Sequence, residues 1–272
     1  MASLHLEFPC CSAHRPRPLK RDKVEEVAAH ARKQLGFDAM DAIPLAVLAE
    51  LSELKINGVA MALEISTDFE VHDENDDPVL GICEHDPSMP DTAMVSVSPV
   101  SERGNEAVVL STLAHELGHA IFDAPGWIVE AARGRGLFDD IDTMHRRSYR
   151  TTTGDANHLG HAANAKEPDS SLAKAVFFAE YRANEFMGSL LVPRVRLQRA
   201  IFELAPKFAI SSGRNRHLEM DAELCATSPA PDRGVEKEEL EPDSLLKALA
   251  ERFGVNRRFI EVRLDRYGLA AC

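Results

Sequence analysis

Residues 111–122 read Ser111-Thr-Leu-Ala-His115-Glu116-Leu-Gly-His119-Ala-Ile-Phe122. Val109, Leu113, Leu117, Ala120 and Ile121 make this stretch a largely apolar helix, expected over 105–122. Two histidines four apart project from one helix face, so both imidazoles can reach one ion. Zinc accepts nitrogen at about 2.0–2.1 Å and favours a tetrahedron, which leaves room for a third protein ligand and a water. Glu116, adjacent to the first histidine, can address that water as general base instead of binding the metal. With 11 His and 44 acids in 272 residues, fewer than about 0.1 such pentapeptides are expected by chance. Burying this polar trio in an apolar helix is costly unless it has a job. The bland alternative is a pair of surface histidines on an ordinary helix.

A third ligand is needed. The extended motif would place Gly and His three and six residues after His119, but those positions are Phe122 and Pro125. The next helical segment, expected from Asp169 or Ser170 to just before Pro193, contains Glu180 with Ala183 three later. A small residue one turn on lets two helices approach closely beside a metal. The ligand set is then His115, His119 and Glu180, the His₂Glu arrangement of catalytic zinc. The alternative, Glu185, sits about 140° round the helix from Glu180 at roughly 100° per residue.

Thr112 to His119 reads TLAHELGH, and Glu180, Ala183, Asn184, Phe186, Leu190, Leu191 and Pro193 follow the pattern E-x-x-A-N-x-F-x-x-x-L-L-x-P. Together these segments resemble the ImmA/IrrE metallopeptidases. The resemblance covers about residues 20–195 and 244–268. It implies an α+β, gluzincin-type fold with N-terminal helices, a short sheet, the two motif helices and a helical C-terminal appendage. It also implies a soluble bacterial or phage regulatory endopeptidase that cleaves a helix-turn-helix repressor in a stress or mobile-element programme. The stretch between His119 and Glu180 is longer than is usual for the family.

Working outward, Val24, Val27, Ala28, Ala31 and Leu35 have helical spacing, with a capping pair Asp22 and Glu25 and a stop at Gly36. Pro44 opens a second helix whose apolar face is Leu45, Leu48, Leu51 and Leu54, ended by an Asn57-Gly58 turn. Strands are expected at Val59–Ile65, Val79–Cys83 and Met94–Val97. Residues 1–20 read as a flexible leader, and 21–210 as the metallopeptidase domain with an irregular insert or lid over 123–168. Residues 211–243 read as an acidic flexible connection, and 244–272 as a helix-turn-helix-like pair. In that pair Lys247, Arg252, Arg257, Arg258, Arg263 and Arg266 outnumber Glu251, Glu261 and Asp265. Packing or partner docking is the preferred role of the pair, and DNA contact the alternative.

The remaining candidates are weaker. Asp123, four after His119, can orient its imidazole. Tyr149, Tyr181, Arg182 and the insert histidines, His145, His158 and His161, are candidate oxyanion donors. His158 and His161 otherwise read as a loose surface pair, and Trp127 as a packing anchor for the insert. The edge Met94–Val97 is a candidate for pairing with an extended substrate.

Composition sets limits on these readings. Hydrophobic residues make up 44% and charged residues 28%, an ordinary globular mix without an apolar run long enough for a membrane span. Five cysteines without a CxxC pair point to a reducing cytoplasm and away from a disulfide framework or a cysteine zinc site. The net charge of −13 argues against a nucleic-acid footprint over the whole surface. Residues 64–77 and 219–243 carry about −7 each, so the body is nearly neutral. These two segments are placed to steer a basic partner towards the cleft. The expectation is a zinc endopeptidase with Glu116 as base and a protein substrate. A non-proteolytic binding module of the same fold and a DNA-binding regulator are the alternatives.

Overall fold

Asn57 and Gly58 both have positive φ, +50° and +84°, the signature of a two-residue type I′ turn. That turn joins strand β2 (Leu51–Ile56) to β3 (Val59–Ser66) and sets the register Ile56 opposite Val59. The computed structural model describes residues 2–73, 75–86, 88–100, 105–134, 147–151, 171–205 and 242–269. The expected acidic connection lies almost wholly outside them, as do His145, His158 and His161.

In chain order the other elements are β1 (Ala2–Leu6), α1 (Arg21–Gln34), α2 (Leu45–Ala49), β4 (Val71–His72), β5 (Pro78–Val79), β6 (Gly81–His85) and β7 (Thr92–Val97). Then come α3 (Glu106–Phe122), α4 (Ala124–Gly134), β8 (Arg147–Thr151), α5 (Ser171–Leu191), α6 (Arg194–Leu204), α7 (Pro242–Phe253) and α8 (Arg257–Tyr267). Six strands form one mixed sheet in the order β1-β2-β3-β7-β6-β8, and β4, inside the acidic stretch, pairs separately with β5 just after it. The fold is α+β. Helix α3 lies against β6, β7 and β8, α5 packs on α3, and α1 packs on α5. None of the described helices is long and apolar enough to cross a membrane.

Four expectations need correction. Residues 1–20 are not a flexible leader: β1 pairs parallel with β2 at the sheet edge, and Leu4, Leu6 and Phe8 are buried. Their apolar burial contributes about 1.5–3 kcal/mol each, which is what holds this segment down. The second helix stops at Ala49, because Leu51 and Leu54 belong to the hairpin strand β2. The 123–168 segment is not irregular throughout: it starts as α4, and Arg147–Thr151 returns as the edge strand β8. Met94–Val97 is no edge, since β7 lies between β3 and β6.

The C-terminal pair turns at Gly254 (φ +68°) and docks on the body. Its arginines are committed internally. Arg252 binds Asp41 at 2.5 Å and Glu203 at 2.7 Å, and Arg257 binds Asp243 at 2.7 Å. Arg258 binds Glu261 at 3.0 Å, while Arg263 and Arg266 both reach the buried Glu185.

Candidate metal centre

Helix α3 starts at Asn105, whose side chain accepts a hydrogen bond from the Val108 amide. Every residue from Val109 to Phe122 is buried, including His115, Glu116 and His119. Two glycines allow this packing. A Cβ on Gly118 would lie 2.9 Å from the Ala183 Cα, so α3 and α5 touch backbone to backbone. A Cβ on Gly81 would lie 2.6 Å from Thr112 and 3.1 Å from Glu116, so β6 presses directly on the motif helix. The small residue one turn past Glu180 plays the part read from the sequence.

That approach brings His115, His119 and Glu180 together, a group able to hold a metal ion. The two Nε2 atoms are 3.1 Å apart, and each lies 3.4 Å from a Glu180 carboxylate oxygen. A tetrahedron with bonds of about 2.0–2.1 Å has edges of about 3.3–3.4 Å. The observed separations are close to that edge, with Glu180 offering Oε2 to His115 and Oε1 to His119. His119 Nδ1 donates to Asp123 Oδ2 at 3.1 Å, so in the neutral ring that binds a metal the Nε2 lone pair would point into the cluster. Arg182 Nη2 in turn donates to Asp123 Oδ1 at 2.7 Å.

The electrostatics match a cation site. Burial alone would push the His119 imidazole down, but its bonds to Asp123 and Glu180 outweigh that and lift it to about 10. Burial opposes ionisation of Glu180 too, yet hydrogen bonds from His115 and His119 hold its carboxyl well below the ordinary value. Both shifts favour positive charge between the imidazoles and the Glu180 carboxylate, a charge that a proton on His119 or an ion on Nε2 would supply.

Glu116 is not part of this triangle. The Thr151 hydroxyl donates to its Oε1 at 2.6 Å, while the buried Oε2 has no hydrogen-bond partner among the described residues. Burial raises its carboxyl pKa, and the neighbouring imidazoles only partly offset this. The register of β8 on β6 explains Thr151: it stands opposite Gly81, where the missing Cβ lets Glu116 come close. Tyr149, two residues earlier on the same strand face, stacks on the His119 ring at 4.3 Å with 13° between planes. Trp127 packs on Tyr149 at 5.5 Å, so it anchors α4 against β8.

The other candidates sort by their contacts. Glu185 faces Arg263 and Arg266, away from the triangle. Arg182 is committed to Asp123, and Tyr181 lies under the Arg266 guanidinium. Thr151 carried no sequence signal, since Thr151-Thr-Thr offers nothing to single it out. No family model matches the chain, and no curated protein is significantly similar to it.

Proposed function

We propose that the chain is a zinc-dependent endopeptidase that hydrolyses a peptide bond in a partner protein. The observation that carries this reading is the pairing of a three-donor metal cluster with a separate buried carboxylate, Glu116, that keeps one oxygen free. A site that only stores or senses a metal has no use for such a base.

His115, His119 and Glu180 would hold the ion, and this His₂Glu set is the one used by catalytic zinc. Bound there, zinc supplies a Lewis acid that polarises a carbonyl and brings the pKa of a water towards about 7. Thr151 holds Glu116 Oε1, which leaves Oε2 to take the proton from the attacking water. Burial makes Glu116 a stronger base than a solvated glutamate, and it then delivers the proton to the leaving nitrogen. Tyr149, packed on His119, is the favoured second donor to the oxyanion.

The partner we propose, on the ImmA/IrrE resemblance alone, is a helix-turn-helix repressor in the cytoplasm. Direct DNA contact by the C-terminal pair is less favoured, because five of its arginines are already ion-paired within the chain. Glu116→Gln is the test. The variant should retain about one equivalent of zinc and lose about 10²–10⁴-fold in partner cleavage. Cleavage at the original rate, or less than about half an equivalent of zinc in the purified wild-type protein, would remove the proposal.

A further inference from the structure

Beside the metal cluster is a cavity of about 470 Å³, which shares Asp123 and Tyr149 with the centre. Its walls come from four places: the N-terminal arm (Pro16, Leu19), α4 (Trp127), β8 (Tyr149) and α5 (Val176, Phe178). The arm is fixed there. Arg15 pairs with Glu130 at 2.8 Å, Arg133 donates to the Ser12 carbonyl at 2.9 Å, and a Cβ on Gly126 would lie 3.1 Å from Arg15.

We infer that this cavity is the specificity subsite of the enzyme and takes a large apolar side chain, aliphatic or aromatic, from a substrate residue next to the scissile bond. The inference rests on the peptidase reading and adds the substrate class to it. Three observations support it. The charges in the lining are paired, Asp123 with His119 and Arg182, and Arg15 with Glu130; the Arg182 Nε is buried without a hydrogen-bond partner among the described residues. A charged occupant would lose its hydration without gaining a free counter-charge, whereas an apolar one loses nothing. The volume falls in the range of pockets that enclose small ligands, about 300–1,000 Å³, so a phenylalanine side chain fits. Val176 and Phe178 are 43% and 39% exposed at its lip, apolar surface that an occupant would cover. The position, against the Tyr149 ring that stacks on His119, puts the occupant one side chain away from the metal donors.

Trp127 is the sole tryptophan and lines the cavity, so its fluorescence reports occupancy. The zinc-loaded full chain carrying Glu116→Gln is titrated with acetyl-Gly-Gly-Xaa-Gly-Gly-amide peptides in which Xaa is Phe, Leu, Ala or Glu. The Phe and Leu peptides should bind about tenfold tighter than Ala or Glu. Adding Val176→Glu and Phe178→Glu, both on the exposed lip, should abolish that difference. Equal affinity for all four peptides, or a preference that survives the lip substitutions, overturns the subsite. Preference without hydrolysis of the Phe peptide by the wild-type chain keeps the subsite and removes the peptidase reading. Hydrolysis of all four with equal kcat/KM does the reverse.

Discussion

Asp123→Asn tests the link between the hydrogen-bond network and the metal. Asp123 is buried and serves two donors, His119 Nδ1 at 3.1 Å through Oδ2 and Arg182 Nη2 at 2.7 Å through Oδ1. Asparagine keeps the shape, but one of its two terminal atoms is itself a donor. Whichever way the amide sits, one bond becomes a donor facing a donor. A buried hydrogen bond to a charged group contributes about 1.5–3 kcal/mol. If the loss falls on His119, zinc affinity drops by about ten- to 150-fold. That overlaps the loss of about 10–100-fold usual for partners of ligating histidines. The assay is competition for zinc with a chromophoric chelator at neutral pH, with circular dichroism to show that the fold is intact. Arg182→Met is the control: it leaves the whole Asp123 carboxylate to His119, and affinity should stay within about threefold. Asp123→Ala offers no side-chain acceptor at all, so a folded Asp123→Ala protein that binds zinc within about threefold of wild type would refute the argument that Asp123 sets the His119 tautomer.

Gly118→Ala gains about 1 kcal/mol of helix propensity but forces a methyl to 2.9 Å from Ala183, and such overpacking costs about 1–3 kcal/mol. The net expectation is a lower melting temperature together with weaker zinc binding, because Glu180 shifts with α5; a higher melting temperature would contradict it. Glu185→Ala strands Arg263 in the interior, and breaking a buried pair costs about 3–5 kcal/mol. Urea denaturation should show that loss, and a change below about 1 kcal/mol would mean the pair is not holding α8. At Asp41, burial works to raise the carboxyl pKa, but hydrogen bonds from Arg252 and Arg196 overcome it and hold the group below its ordinary value. Its contribution is therefore complete above the unfolded carboxyl value of about 3.9 and is lost as pH falls through the lower folded value. The stability gap between wild type and Asp41→Asn should be constant near neutral pH and close towards about pH 3; a gap independent of pH would break the assignment.

Elements with a local signal were legible in the sequence, and elements defined by a distant partner were not. Helix α3 announces itself by apolar spacing, and α5 ends where Pro193 forbids continuation. Strand β1 carried a short period-two signal, Leu4 and Leu6 with Phe8 just beyond, but a five-residue strand forms only because β2, some fifty residues on, offers an edge. For β2, a leucine every third residue imitated a helix. The better clue was Asn57-Gly58, which demands paired strands on both sides. The candidate donors His115 and His119 were readable because helical spacing fixes which side chains share a face, and Glu180 because a small Ala183 follows it one turn on. Thr151 was not, since its place beside Glu116 depends on the β6–β8 register and on Gly81 lacking a side chain.

The arginine excess of the C-terminal pair shows the same limit and gives the pair a different role. Counted along the chain, it suggested a basic surface; in space, Arg263 and Arg266 converge on Glu185 of α5. Glu180 and Glu185 sit on one helix, about 140° apart at roughly 100° per residue. One faces the histidines and the other faces α8. Gly188 completes the second face: a Cβ there would lie 2.2 Å from the Arg263 guanidinium, so the arginine lies flat against the α5 backbone. Helix α5 is thus gripped from two sides, by α3 at Ala183 and by α8 at Glu185 and Gly188. A third ligand must be placed to within a few tenths of an ångström, and a helix held on one face alone can slide or rotate. The C-terminal pair therefore braces the face of α5 that lies about 140° from Glu180.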